Sequence, residues 1–198
     1  MRRVRNLIGG LLLLATLAPV GAAWAQWELA GDKSSVNFVS IKNSSVAELH
    51  SFETLMGFIA EDGSVQVSID LASVQTMIDI RDERMREILF ETARFPAAKA
   101  TAEVDPAVIQ AVVNGGTVTT DVPVTLSMHG AEQTLTASLV VVGESDGPLR
   151  VFSAHPILLD ASEFGLVEGV NALREIAGLG SISTAIPVTL HLVFERAH

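Results

Sequence analysis

The chain contains no cysteine in its 198 residues. That excludes a disulfide-stapled scaffold, and it excludes a lipoprotein, which needs an acylated cysteine at its new N-terminus. Positive charge is scarce as well: 13 Lys and Arg face 23 Asp and Glu, for a formal net charge of −10. Long apolar runs are confined to the first residues. Arg2, Arg3 and Arg5 precede an apolar stretch from Leu7 to Val20, and Ala23-Trp24-Ala25 follows as a small-x-small pattern. That order is the one of a cleavable secretory signal peptide, and the stretch is shorter than the roughly 20 residues of a spanning helix. Cleavage after Ala25 divides the chain into a leader, 1–25, and a mature part, 26–198, of one-domain size. It also removes three arginines and brings the net charge to about −13. A surface so acidic repels nucleic acid and anionic lipid head groups, so nucleic acid is excluded as a partner. The expected location is periplasmic or secreted.

Enzymatic signatures are also missing. The chain has no G-x-S-x-G elbow, no P-loop, no G-x-G-x-x-G and no cysteine nucleophile. The five histidines, His50, His129, His155, His191 and His198, show neither H-x-H nor H-E-x-x-H spacing. No catalytic residue, metal ligand or cofactor site follows from them, and the reading is a protein that is not an enzyme. His50 stands apart because "AELHSF" joins it to Glu48 and Phe52 at strand spacing. The pair is open to a pocket role or to an ordinary structural hydrogen bond. His191 shares the polar face of its strand with Pro187 and Thr189, which predicts exposure.

What the mature chain does have is period-two alternation. Val65, Val67, Ile69 and Leu71 alternate with Gln66, Ser68 and Asp70; Val122, Val124, Leu126 and Met128 with Pro123, Thr125 and Ser127. Ile186, Val188, Leu190, Leu192 and Phe194 make five further apolar steps. Each run describes a strand with one face inward. Similar candidates lie near 35–41, 51–59, 98–104, 117–126, 134–142 and 150–158, for about eight strands. Short turn-rich connections favour antiparallel hairpins, and eight such strands suit a closed up-and-down barrel, with a two-sheet sandwich as the rival. The fold class is therefore all-β with short helices.

Two segments depart from that rhythm. Residues 79–90, inside the highly charged stretch "TMIDIRDERMREILFETARFP", read as a helix with Asp79 as N-cap, Met85, Ile88 and Leu89 on one face, and Asp82 and Arg86 paired. Residues 169–178 read as a second helix, with Val170, Leu173 and Ala177 on one face and Gly178 at C′. Arg81, Arg84, Arg86 and Arg94 supply four of the ten basic residues left after the leader. They suit either a polar head group at a pocket mouth or a solvated helix face, and Arg81-Asp82 equally a buried ion pair. Phe38, Phe52, Phe90, Phe95, Phe152 and Phe164 suit an apolar cavity or a solid core equally well.

Three stretches, "SSVNFVSIKNSSVAELHSF", "IDLASVQTMIDIRDERMREILFETARFPAAKA" and "SEFGLVEGVNALREIAGLGSISTAIPVTLHLVF", resemble the YceI-like family of exported bacterial proteins. The resemblance covers the mature chain, and its most specific element is the run from "SV" through "IRDERMR" to "FP". It implies an eight-stranded lipocalin-like barrel with a hydrophobic tunnel for a polyisoprenoid chain, such as a quinone tail or prenyl phosphate. The expected ligand is a long-chain isoprenoid or fatty lipid, held for carriage or storage. Phe38, Phe52, Leu55, Met85, Ile88, Leu89, Phe90, Phe95, Met128, Phe152 and Phe164 are expected to line the tunnel, with His50 and Arg81 at the head group. The chain carries "MIDIRDERMRE" where relatives often have Asn and His among the charges, so head-group identity does not transfer from any one relative. A lipid-modifying enzyme using His50 and Glu48, or an interaction protein with a filled barrel, are the alternatives. A homodimer and a membrane or redox-protein partner are left open.

Overall fold

A computed structural model describes residues 25–197. The expected leader, apart from Ala25, lies outside the described residues, as does His198. The polypeptide runs through β1 (Ala25–Leu29), β2 (Ser35–Lys42), β3 (Val46–Phe52), β4 (Leu55–Ala60), β5 (Ser64–Asp70) and β6 (Val74–Gln75) before the first helix, α1 (Asp79–Arg84). Then come β7 (Ala97–Glu103), α2 (Pro106–Val112), β8 (Gly116–Met128), β9 (Ala131–Gly143), β10 (Leu149–Ser153), β11 (Ile157–Asp160), α3 (Val167–Ile176) and β12 (Ala185–Arg196).

All pairings are antiparallel. Following the ladder gives β1-β4-β5-β7-β8-β9-β10-β12, and β12 pairs back onto β1 through Phe194↔Leu29, so eight strands close into a barrel. Strand β12 is long enough to serve two neighbours on each side. Its first half pairs with β11 and β2, its second half with β10 and β1. Closure leaves the ring without an unpaired edge.

The expected strands near 35–41, 65–71, 98–104, 117–126, 134–142 and 186–195 are all present. Two others differ from the expectation. The strand expected over 51–59 is two strands: the Glu53 amide is shared between the Ser73 carbonyl, at 3.1 Å, and the Ser73 hydroxyl, at 3.2 Å, and the Thr54 amide turns to the same hydroxyl at 3.0 Å. The strand expected over 150–158 breaks between β10 and β11, where Pro156 has no N–H to donate. Helix α2 was not anticipated, although Asp105 caps it through the Ala107 amide at 2.8 Å and Pro106 occupies its first turn. It covers one end of the barrel with the buried residues Ile109 and Val112.

The charged segment is helical but irregular. Ile78, not Asp79, is the N-cap of α1, and a π-helical stretch, Met85–Leu89, continues it. The π-turn is closed by the Phe90 amide on the Met85 carbonyl at 2.9 Å. Such one-turn π segments are rare and recur at functional sites. Asp82 is buried and bonded to Thr76, not turned outward to Arg86 as its spacing suggests. The second helix is shifted two residues toward the N-terminus. Gly178 is at C′ with φ +62°, as its position predicts, but Ala177 is exposed.

Candidate functional site

The alternating strands enclose a cavity of about 200 Å³. Its wall is made by the inward set of each strand: Val65, Val67 and Ile69 from β5, Val122, Val124 and Leu126 from β8, and Val188, Leu190, Leu192 and Phe194 from β12. These are the alternating positions of the sequence. Strand β9 adds Leu135, Ala137, Leu139 and Val141, and β7 adds Ala100 and Ala102. Two physical choices keep the interior open. Small side chains on β7 and β9 leave the middle unfilled, and Phe194 is the one aromatic in the wall. Thr101 and Thr120 are its only polar members. A void with such walls stays dry and accepts apolar guests. Unfilled apolar space of this kind is destabilising, because the side chains that line it lose their packing partners.

Val108 and Ile109 of α2 close one end of this space. The other end meets a second apolar cluster, in which Phe38, Leu71, Val74, Met85, Phe90 and Ala98 are buried and Phe52, Leu89 and Met128 pack against them. The rings run in series, Phe38 to Phe52 at 5.3 Å and Phe52 to Phe90 at 5.9 Å.

The wall of the cavity contains none of the eleven residues expected there. Phe38, Phe52, Met85, Leu89, Phe90 and Met128 form the closing layer just described. Ile88 is half-buried on the π segment. Leu55 is buried in the main core, in register with Ile69 of the wall, and Phe164 in a third cluster with Leu166 and Val170. Phe95 sits on an outer groove against His129, with ring centroids 4.4 Å apart. Phe152 follows the inward Val151 and therefore faces outward, stacked on His191 at 4.6 Å and 2°. His191, expected to be exposed, is half-buried under that ring.

A polar network lies beside the aromatic layer. Arg81, in α1, donates from Nε to the Thr76 hydroxyl at 2.8 Å, from Nη2 to the Thr76 carbonyl at 2.6 Å, and from Nη1 to Glu48. Thr76 donates through its amide and its hydroxyl to the buried carboxylate of Asp82. Arg81 and Asp82 are thus linked through Thr76. The Lys42 ammonium lies 2.7 Å from Glu48 Oε1. Hydrogen bonding from Lys42 outweighs desolvation and, with the Arg81 charge, holds the Glu48 carboxyl below its usual range. His50 is buried on β3, its Nε2 2.8 Å from Ser40 Oγ and its ring 5.1 Å from that of Phe38. Burial first, then the Arg81 charge, push the imidazole's pKa down. His50 and Glu48 share a strand face as expected, but each has other partners: Ser40 for one, Lys42 and Arg81 for the other.

Residues 27–194 match the YceI-like domain, and the chain belongs to that family. A polyisoprenoid binding domain from Saccharophagus degradans, implicated in plant cell wall breakdown, is 37% identical with a TM-score of 0.85, covering 88% of this chain and all of its own. BcnA of Burkholderia cenocepacia, 19% identical, superposes with a TM-score of 0.65 over 83% of this chain and 98% of its own. The Campylobacter jejuni YCEI protein, 15% identical, does so at 0.56 over 96% and 100%. The last two share the fold. No curated protein sequence matches the chain.

Proposed function

We propose that this protein is an exported carrier or store for an isoprenoid or similar long-chain lipid, whose tail occupies the barrel cavity. The observation that carries the reading is the cavity itself: a sequence free to fill its barrel instead keeps alanines where large side chains would close it. Each methylene moved from water into such a space contributes about 0.8 kcal/mol, so a flexible hydrocarbon is held without specific polar contacts. The 37% identical relative is described as a polyisoprenoid binding domain, which points to the same ligand class. Export rests on the leader read from the first 25 residues.

Binding rather than catalysis is favoured because the two candidate catalytic groups are not paired with each other. Glu48 is neutralised by Lys42 and Arg81, and His50 faces Ser40. A filled-barrel interaction protein is disfavoured by the void. Organic extraction of purified protein followed by mass spectrometry tests the proposal. It predicts one prenyl or acyl compound per chain; empty protein in repeated preparations that also fails to take up added prenyl lipid would refute it.

A further inference from the structure

We propose that His50 receives the polar end of the ligand and selects an uncharged, hydrogen-bonding head group, an alcohol or a carbonyl, over a phosphate; this rests on the lipid-carrier reading. The imidazole lies one ring beyond the cavity. Phe38 pairs in register with Val188 of the cavity wall on one side and with His50 on the other, and stands two residues from Val36, also in the wall. A head group reaches His50 by turning the Phe38 side chain aside.

His50 is 4% exposed, and its Nε2 is taken by Ser40, yet its Nδ1 is buried with no protein partner. Buried polar atoms are nearly always paired, so an orphan beside an apolar tunnel marks where a ligand atom belongs. Either tautomer serves an uncharged group. With Ser40 donating to Nε2, the Nδ1–H meets an acceptor oxygen; with Nε2–H donating to Ser40, bare Nδ1 meets a hydroxyl.

Phosphate is a poor match for the same end of the barrel. It needs a surplus of positive charge, but Arg81 and Lys42 are already matched by the carboxylates of Glu48 and Asp82, and Arg81 spends three of its five N–H donors within the protein. An anion placed there meets the Glu48 and Asp82 carboxylates. Protonating His50 to assist is opposed by its burial.

The test displaces a fluorescent prenyl probe from the purified full chain with three competitors of equal tail length: a prenol, its monophosphate and a plain isoprenoid hydrocarbon. The prenol is expected to bind about tenfold more tightly than the phosphate. His50→Phe, which keeps a ring against Phe38, is expected to weaken prenol about tenfold and leave the hydrocarbon unchanged. Phosphate binding as tightly as prenol, or prenol and hydrocarbon weakened alike by His50→Phe, overturns the assignment. Should that variant not fold, the Nδ1 nitrogen resonance of the wild-type protein decides: it must move on adding prenol and stay still on adding hydrocarbon, and a resonance that ignores prenol is fatal. A hydrocarbon that never displaces the probe would sink the carrier reading itself, separately from the head-group assignment.

Discussion

A β-carbon placed on Gly143 would stand 1.9 Å from the carbonyl oxygen of Val112. The end of β9 and the last turn of α2 are therefore pressed together at a point where only glycine fits, and this contact seats the helix over the barrel. Gly143→Ala forces backbone apart and is expected to destabilise the fold by about 3 kcal/mol. Chemical denaturation measures it; an unchanged midpoint would mean that α2 does not seat there.

Filling the void separates cavity from fold. Ala137 is 2% exposed and points into the space from β9. Ala137→Phe occupies volume the ligand needs. Prenyl-lipid uptake should fall at least tenfold, while the unfolding midpoint of the lipid-free protein holds or rises, since an unfilled void is itself destabilising. Paired binding and denaturation curves distinguish this from simple misfolding, in which both would fall.

Glu48 joins β3 to α1 by accepting from Arg81 while it neutralises Lys42. Glu48→Gln weakens both contacts, but the partners are partly exposed, so the loss should be modest, about 1 kcal/mol. Amide exchange should quicken in residues 76–90 more than in β8 and β9. Uniform exchange across the barrel would contradict a local role.

Acid should destabilise the protein in two stages. Unfolded histidine titrates near 6.5, but His50 in the fold is held lower, so the unfolded state binds the extra proton first. Stability is then full above 6.5 and falls as the pH drops below it. Glu48, lowered from 4.5, adds a second loss below that value, with the same sign. Denaturation midpoints from pH 8 to pH 4 follow this, and His50→Phe should remove the upper stage alone.

The barrel was legible in the sequence because its cause is local: period-two alternation on β5, β8 and β12 names the inward residues directly, and most of those residues line the cavity. The expected lining was drawn instead from large aromatic and sulfur side chains, and that choice failed for a physical reason. Bulky rings fill space, so Phe38, Phe52 and Phe90 close the barrel, while valine and alanine leave it open. The alternation around Ala100, Ala102 and Ala137 was the available signal. The breaks at Glu53–Thr54 and the burial of Asp82 depend on Ser73 and Thr76, side chains distant in sequence or folded back by a turn, which no periodicity reports. Phe152 shows the reverse: its outward face follows from Val151 by strict alternation.

Photo-crosslinking with a prenyl lipid carrying a diazirine along its tail tests the central claim most directly. With the tail inside the barrel, adducts must fall on the wall residues of β5, β8, β9 and β12, and Ala137→Phe must abolish them. Adducts scattered over exposed residues, and indifferent to that substitution, would contradict the account.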